Sequence, residues 1–534
     1  MHSDSAPIQT GAALAPDACY LALKARDARF DGCFFTGVTS TGIYCRPVCK
    51  VRTPRRENCR FFGHAAQAEQ AGFRPCLRCR PELAPHSLRW SIQDASATLA
   101  RQAARLLDEH EPGAASEGPP LIEQLAARLG VSDRHVRRIF EQEFGVSPLQ
   151  YLQTRRLLTA KQLLADTTLP ITQVALISGF ASVRRFNAAF AGHYGLNPTQ
   201  LRRKGGAHRG GAAGASVTVK LGYRPPYDIE ALLAFFRKRQ IAGIEVISQG
   251  QEPPRMARSF AVDAAGTRLA GWLAVEFNPA EHQVLLRVSD SLREVLPRVI
   301  RRVRAWLDLD ADPRAINAVL HGDFPDGDGL RVPGSMSGHE LAVRAVLGQQ
   351  ITVAAARTLA QRLLDRFGDP IETPWPAINR LFPTPQALAA AGGDAMGQLG
   401  IVRQRQAAIV ALSSAVAAGR LQLHAGADVT ATIATLKQLP GIGEWTAQYI
   451  AMRALRWPDA FPAGDVALHK ALGVVAAKHP AREAEAASLA WKPWRSYAVI
   501  RAWSALPANP ARPAVSASRR AARVVQNSHV GVLS

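Results

Sequence analysis

Cys45, Cys49, Cys76 and Cys79 form a C-x3-C…C-x2-C quartet. Two close thiol pairs separated by a loop are what tetrahedral zinc requires, and a zinc-bound thiolate stays deprotonated and is a latent nucleophile. Arg46, Lys50, Arg74 and Arg78 crowd the two pairs, so the site is expected to face an anion. Far along the chain, Leu439-Pro440-Gly441-Ile442-Gly443-Glu444 places a Gly-x-Gly turn between two helical patterns. Such a turn lets backbone N–H groups point at one phosphate, with the N-terminus of the next helix behind them. Asp465 follows 22 residues after Gly443 and is the only acid between Asp459 and Glu483. Lying directly after a glycine, it is suited to cap the helix that follows.

The elements that must position these residues belong to a long, basic chain. With 534 residues it exceeds one core, and three or four domains are expected. A net charge of +22 points to polyanionic partners, and 47% apolar residues exclude a wholly disordered polymer. No run of 18 apolar residues and no basic-then-apolar leader occur, so neither a membrane partner nor export is expected, and a cytoplasmic setting is. Quartet spacing fits a reducing compartment better than a disulfide framework, while Cys19, Cys33 and Cys59 carry no assigned role. Breaker-rich residues 109–120 and the Gly/Ala-rich 205–216 punctuate the chain. After them, Val217–Leu221, Leu273–Phe277 and Val284–Val288 alternate as strands, and beyond Pro333 the pattern is helical.

Between the two punctuating stretches a pattern repeats. Ser132 opens a helix in which Val136, Ile139, Phe140 and Phe144 share one face, leaving Arg134, His135, Arg137 and Arg138 outward. Fifty residues later Ser182 opens another, with Phe186 and Phe190 inward and Arg184 and Arg185 outward. Each follows a short amphipathic helix and a glycine turn, which predicts two helix-turn-helix units. With Ile177-Ser178-Gly179-Phe180 and Phe190-Ala191-Gly192-His193-Tyr194-Gly195, the stretch from Leu121 to Arg203 resembles the AraC-type DNA-binding domain.

Two further resemblances bear on chemistry. Thr41-Gly42-Ile43-Tyr44-Cys45-Arg46-Pro47 with Phe73-Arg74-Pro75-Cys76 resembles the N-terminal domain of Ada-type adaptive-response proteins. That likeness implies one zinc on the four cysteines, irreversible methyl transfer from DNA methylphosphotriesters to Cys45, and backbone contacts by Thr41, Arg74 and Arg78. No Pro-Cys-His-Arg motif occurs, so O6-methylguanine repair is not implied. The turn at Gly441 and Gly443 resembles the helix-hairpin-helix of DNA glycosylases. With Tyr223-Arg224-Pro225-Pro226-Tyr227-Asp228, Val346-Leu347-Gly348-Gln349-Gln350 and Trp491-Lys492-Pro493-Trp494-Arg495, the stretch from Val217 to Leu506 is similar to AlkA-type 3-methyladenine glycosylases.

The second likeness implies that Asp465 is the catalytic carboxylate, stabilising positive charge on the sugar as the N-glycosidic bond breaks. It places Trp445, Tyr449, Trp503 and Phe235 around a flipped base, and Gln350 or Ile351 as the wedge in the DNA stack. Trp445 stands where bifunctional relatives carry lysine, so plain hydrolysis is implied.

The combined expectation is a multidomain, mainly α protein. Its parts are a small α/β zinc domain (12–88), an all-α domain with two helix-turn-helix units (89–205), a linker (206–215), an α/β subdomain (216–330), an all-α helix-hairpin-helix glycosylase domain (331–510) and a basic tail (511–534). Its partner is double-stranded DNA, with RNA polymerase as a second, acting as a nucleoid-associated monomer without organic cofactor. The alternative is chiefly a methylation-activated transcription factor with a weakly active glycosylase half.

Overall fold

A computed structural model describes residues 15–86, 95–109, 119–204, 216–250, 252–264 and 266–506. The linker at 206–215 and the basic tail from 511 lie outside the described residues. The chain is multidomain and mainly α, with two separate sheets. No described helix is long and apolar enough to cross a membrane.

The first sheet contains β1 (Phe35–Val38), β2 (Ile43–Cys45), β3 (Cys59–Phe62) and β4 (Arg74–Pro75), in the order β3-β1-β2-β4. β2 and β4 run parallel, with Tyr44 opposite Pro75, so the residues after them, Cys45 and Cys76, emerge side by side. The amide of Cys76 donates to the Tyr44 carbonyl at 3.0 Å and fixes that register.

The helix-turn-helix units are built as the repeat predicts. Helices Leu121–Leu129 and Asp133–Phe144 form the first, Ile171–Ile177 and Val183–Tyr194 the second. Ser132 and Ser182 cap the second helix of each, accepting from the amides of His135 and Arg185. A helix not anticipated from sequence, Ala95–Glu109, packs Ala100, Ala103 and Leu107 against Val136, Ile139 and Phe140. This helix ends where the breaker-rich stretch begins, and residues 110–118 of that stretch lie outside the described residues.

The second sheet holds β5 (Ser216–Gly222), β6 (Glu245–Ile247), β7 (Arg255–Ala264), β8 (Thr267–Asn278) and β9 (Gln283–Ser289), antiparallel in the order β5-β9-β8-β7-β6. The three alternating segments lie in β5 at one edge and in β9 and β8 beside it, and alternation buries one face against helices. That buried face continues into the second helix-turn-helix unit: Val219, Leu221 and Leu286 share one apolar cluster with Leu163, Phe186 and Phe190. A further, mainly helical cluster around Val346, Ile450 and Val499 forms the core of the C-terminal part.

Polar groups lock these parts together. Arg224 is 0% exposed, and its guanidinium donates to five carbonyls: Asp31, Pro85, His86, Asp310 and Ala311. The chain packs so closely beside it that a Cβ on Gly222 would lie 2.4 Å from the Leu83 carbonyl. Nearby, the Glu82 carboxylate takes Lys161 and Arg80, and Arg80 also reaches Asp166 at 2.6 Å. Burial acts to raise the Glu82 carboxyl, but Lys161 and Arg80 outweigh it and hold the group below its ordinary value of 4.5.

A depressed carboxyl gives stability that is complete above its unfolded value and lost as pH falls through the folded one. Glu82→Gln leaves Lys161 buried without its counter-charge. The expected cost is about 3 to 5 kcal/mol at pH 7, read by urea unfolding, with a flatter decline of stability below pH 4.5 than in the wild type.

Candidate active and metal sites

Asp465 begins the helix Val466–Ala471 and caps it, its Oδ1 accepting from the Leu468 amide at 2.7 Å. Two indoles complete its surroundings. Trp503 Nε1 donates to Oδ1 at 3.1 Å and Trp445 Nε1 to Oδ2 at 2.8 Å. Three donors on a carboxylate 9% exposed fix its orientation.

Trp445 stacks on Tyr449, with centroids 5.3 Å apart and planes 14° from parallel, and Trp503 lies 6.3 Å from Tyr449. Three of the four expected aromatics therefore gather around the carboxylate. Phe235 joins through arginines: the Arg453 guanidinium lies 4.9 Å from its centroid and also donates to the Tyr449 hydroxyl. The Arg239 guanidinium lies over the same Phe235 ring, 3.6 Å from its centroid. Burial acts to raise the Tyr449 phenol, but Arg453 and Arg239 together hold it below its usual value. Burial also pushes Arg239 down to about 10. These two arginines were not anticipated; nothing in the local sequence separates them from surface arginines.

The turn precedes the same helix that carries Trp445 and Tyr449, Glu444–Arg453. Gly441 has φ +74°, and a Cβ there would meet Ala408 at 3.2 Å, so the position favours glycine on both counts. Gly443 is exposed at the helix N-terminus, where backbone N–H groups lack intrahelical partners. Gln349 braces the turn, its amide donating to the Gly441 carbonyl and to Thr446 Oγ1, each at 2.9 Å. Gln350 is exposed with φ +55°, a strained conformation for a non-glycine residue, and Ile351 beside it is half-buried.

In the first sheet the four quartet sulfurs lie within 4.8 Å of one another. Tetrahedral zinc with bonds near 2.3 Å needs sulfurs about 3.8 Å apart, so the donor set fits the ion. Arg46 N–H donates to Cys79 Sγ at 3.3 Å, and the amides of Val51 and Cys79 reach Cys49 and Cys76.

The surrounding cations differ from the sequence expectation. Arg46 turns inward, is buried, and donates to Asp31 Oδ1 at 2.8 Å and to the Cys79 carbonyl at 2.9 Å. A quartet flanked by a folded-in arginine is stapled from behind, so this cation does not face an outside anion. Arg74 donates to the Tyr194 carbonyl at 3.1 Å, at the end of the second helix-turn-helix unit. Thr41 and Arg78 are exposed, as are Arg134, Arg137, Arg138, Arg184 and Arg185 on the two outward helix faces.

Four family models match in order: the metal binding domain of Ada over 18–82, a helix-turn-helix domain over 125–204, the AlkA N-terminal domain over 218–337, and the HhH-GPD superfamily of base excision DNA repair proteins over 343–496. The chain is 36% identical over 498 residues to a "probable bifunctional transcriptional activator/DNA repair enzyme AlkA" of Mycobacterium tuberculosis, spanning 91% of this chain and 96% of that protein. It is 32% identical to DNA-3-methyladenine glycosylase 2 of Escherichia coli, covering 53% of this chain and 95% of that one. The bifunctional transcriptional activator/DNA repair enzyme Ada of the same organism is 32% identical over 36% of this chain and 50% of its own length.

The sulfur geometry generates a direct expectation. Purified protein should contain one zinc per chain by elemental analysis, and Cys79→Ser should lower that content and its retention against a chelator.

Proposed function

The chain belongs to the family of bifunctional transcriptional activator/DNA repair enzymes of the AlkA type, and on that premise we propose how its residues divide the work. It is a DNA-3-methyladenine glycosylase joined to an Ada-type zinc domain and a DNA-binding regulator. We assign the boundaries as 12–88 for the zinc domain, 89–205 for the helix-turn-helix domain, 216–330 for the α/β subdomain and 331–510 for the glycosylase domain. The single observation supporting the excision reading most is the carboxylate of Asp465 held by two indole N–H groups beside the hairpin.

In the repair half, the amides around Gly441 and Gly443 bind one DNA phosphate, and Gln350, with Ile351 beside it, fills the gap left by the flipped nucleotide. The damaged base enters against Trp445, Tyr449 and Trp503, with Phe235 behind. An alkylated purine carries positive charge, so the C1′–N bond breaks with its electron pair leaving on the base and no proton needed. Asp465 stabilises the positive sugar while water bonds to C1′ and gives up a proton to solvent. Trp445 has no amine to form a Schiff base, so the product is an abasic site.

In the sensing half, Cys45 attacks the methyl of a methylphosphotriester. The S–CH3 bond forms, the O–CH3 bond breaks, and the phosphodiester departs as an anion. Zinc, held by Cys45, Cys49, Cys76 and Cys79, keeps these sulfurs deprotonated when bound. Methylation removes one negative charge from the site and eases repulsion with DNA phosphate. Thr41, Arg74 and Arg78 hold the backbone there, Arg74 also touching the second helix-turn-helix unit. Arg134, Arg137, Arg138, Arg184 and Arg185 face the operator. A monomer acting with RNA polymerase on the nucleoid completes this reading.

Asp465→Asn should lower excision of 3-methyladenine from methylated DNA at least about a hundredfold, measured as released base; equal release by variant and wild type contradicts the assignment. Cys45→Ser should abolish uptake of labelled methyl from methylphosphotriester DNA while leaving base release unchanged. Label on the serine variant would place the acceptor elsewhere.

A further inference from the structure

Thr36 pairs directly with Cys45 across β1 and β2, and with Phe61 across β1 and β3. Directly opposed residues project from the same face of a sheet, with Cβ atoms about 4.5 to 5.5 Å apart. Thr36 is 0% exposed, and its hydroxyl has no hydrogen-bond partner among the described residues. A buried hydroxyl without a partner is costly, so its neighbours should explain it. Phe61 on one flank offers no acceptor. On the other flank is the sulfur of Cys45, the directly opposed residue of β2.

We propose that Thr36 is a positioning residue for methyl transfer, its hydroxyl donating to the Cys45 sulfur and setting that sulfur's nucleophilicity. This rests on the reading of Cys45 as the acceptor. The hydrogen bond forms by rotation about χ1, and the proton stays on Thr36 throughout. Charge on the sulfur is stabilised before transfer and is lost as the thioether forms, so the contact weakens along the reaction and slows it.

A restraint of this kind suits an acceptor that is used once. A freely diffusing alkylating agent meets the restrained sulfur only by collision. A methylphosphotriester docked on the domain has a high effective concentration and overcomes the same restraint. The hydrogen bond lowers both rates by the same factor; transfer from docked DNA stays fast because docking supplies the effective concentration, whereas reaction with free electrophile becomes slow.

The test uses the full, zinc-loaded chain with Thr36→Val, which keeps the side chain's shape, and Thr36→Ser, which keeps the hydroxyl. Zinc content establishes that each variant retains the site. With methyl iodide as probe, Thr36→Val should methylate about three- to tenfold faster than wild type, the range of one modest hydrogen bond. In the cobalt-substituted protein, the sulfur-to-metal charge-transfer band of Thr36→Val should move to lower energy. Thr36→Ser should match wild type in both. Label mapped to Cys45 with an unchanged rate, or an unchanged band, in Thr36→Val overturns the role of Thr36. Label mapped to a different cysteine overturns the reading of Cys45 itself.

Discussion

A fully buried guanidinium is tolerable only when all of its donors are used, and Arg224 meets that condition through carbonyls that lie far apart in the chain. Asp31, Pro85 and His86 come from the zinc-bearing N-terminal part; Asp310 and Ala311 come from the subdomain that carries the second sheet. The charge stays buried only while those segments are assembled around it. Arg224 therefore makes the close approach at Gly222 and Leu83 a requirement of the fold. It also sets the N-terminal part against the subdomain whose residues reach the repair site through Arg239 and Phe235.

A second polar centre ties the metal site to the DNA reader. Tyr44, next to Cys45 in β2, donates to Glu69 at 2.8 Å. The same carboxylate accepts from Thr154 and lies 3.1 Å from His193 in the helix Val183–Tyr194. Arg74, in the strand paired with β2, holds the end of that helix. A change at Cys45 is thus a few bonds from the arginine-bearing helix of the second unit. The contiguous apolar cluster linking that unit to the second sheet extends the connection toward the repair half.

Much of this was legible in the sequence where chemistry and spacing coincide. The cysteine quartet and the Gly-x-Gly turn stand out because zinc and phosphate demand particular residue types at particular separations, whereas Asp465 by itself read as a helix cap and drew a further role only from the resemblance to DNA glycosylases. The helix-turn-helix units were legible because the apolar period repeats. Less legible were residues whose role depends on distant partners. Arg46 and Arg78 look alike in sequence, yet one is folded onto Asp31 and the other is exposed. Arg224 sat within a recognisable string without revealing that it clamps the fold. Trp503 could have been ordinary core, and only the tertiary approach of its indole N–H to Asp465 distinguishes it. The helix Ala95–Glu109 is followed by breakers, which obscured its place in the first helix-turn-helix core.

The central claim is that one chain performs two chemically distinct operations on alkylated DNA: catalytic hydrolysis at Asp465 and single-use transfer to Cys45. The most direct measurement follows labelled methyl groups from DNA bearing both 3-methyladenine and methylphosphotriesters, using limiting amounts of the full-length protein. The account predicts that label released as free base exceeds the protein many times over, while label bound to protein saturates at one per chain. Base release that stops at one equivalent, or the absence of any protein-bound label, would contradict it.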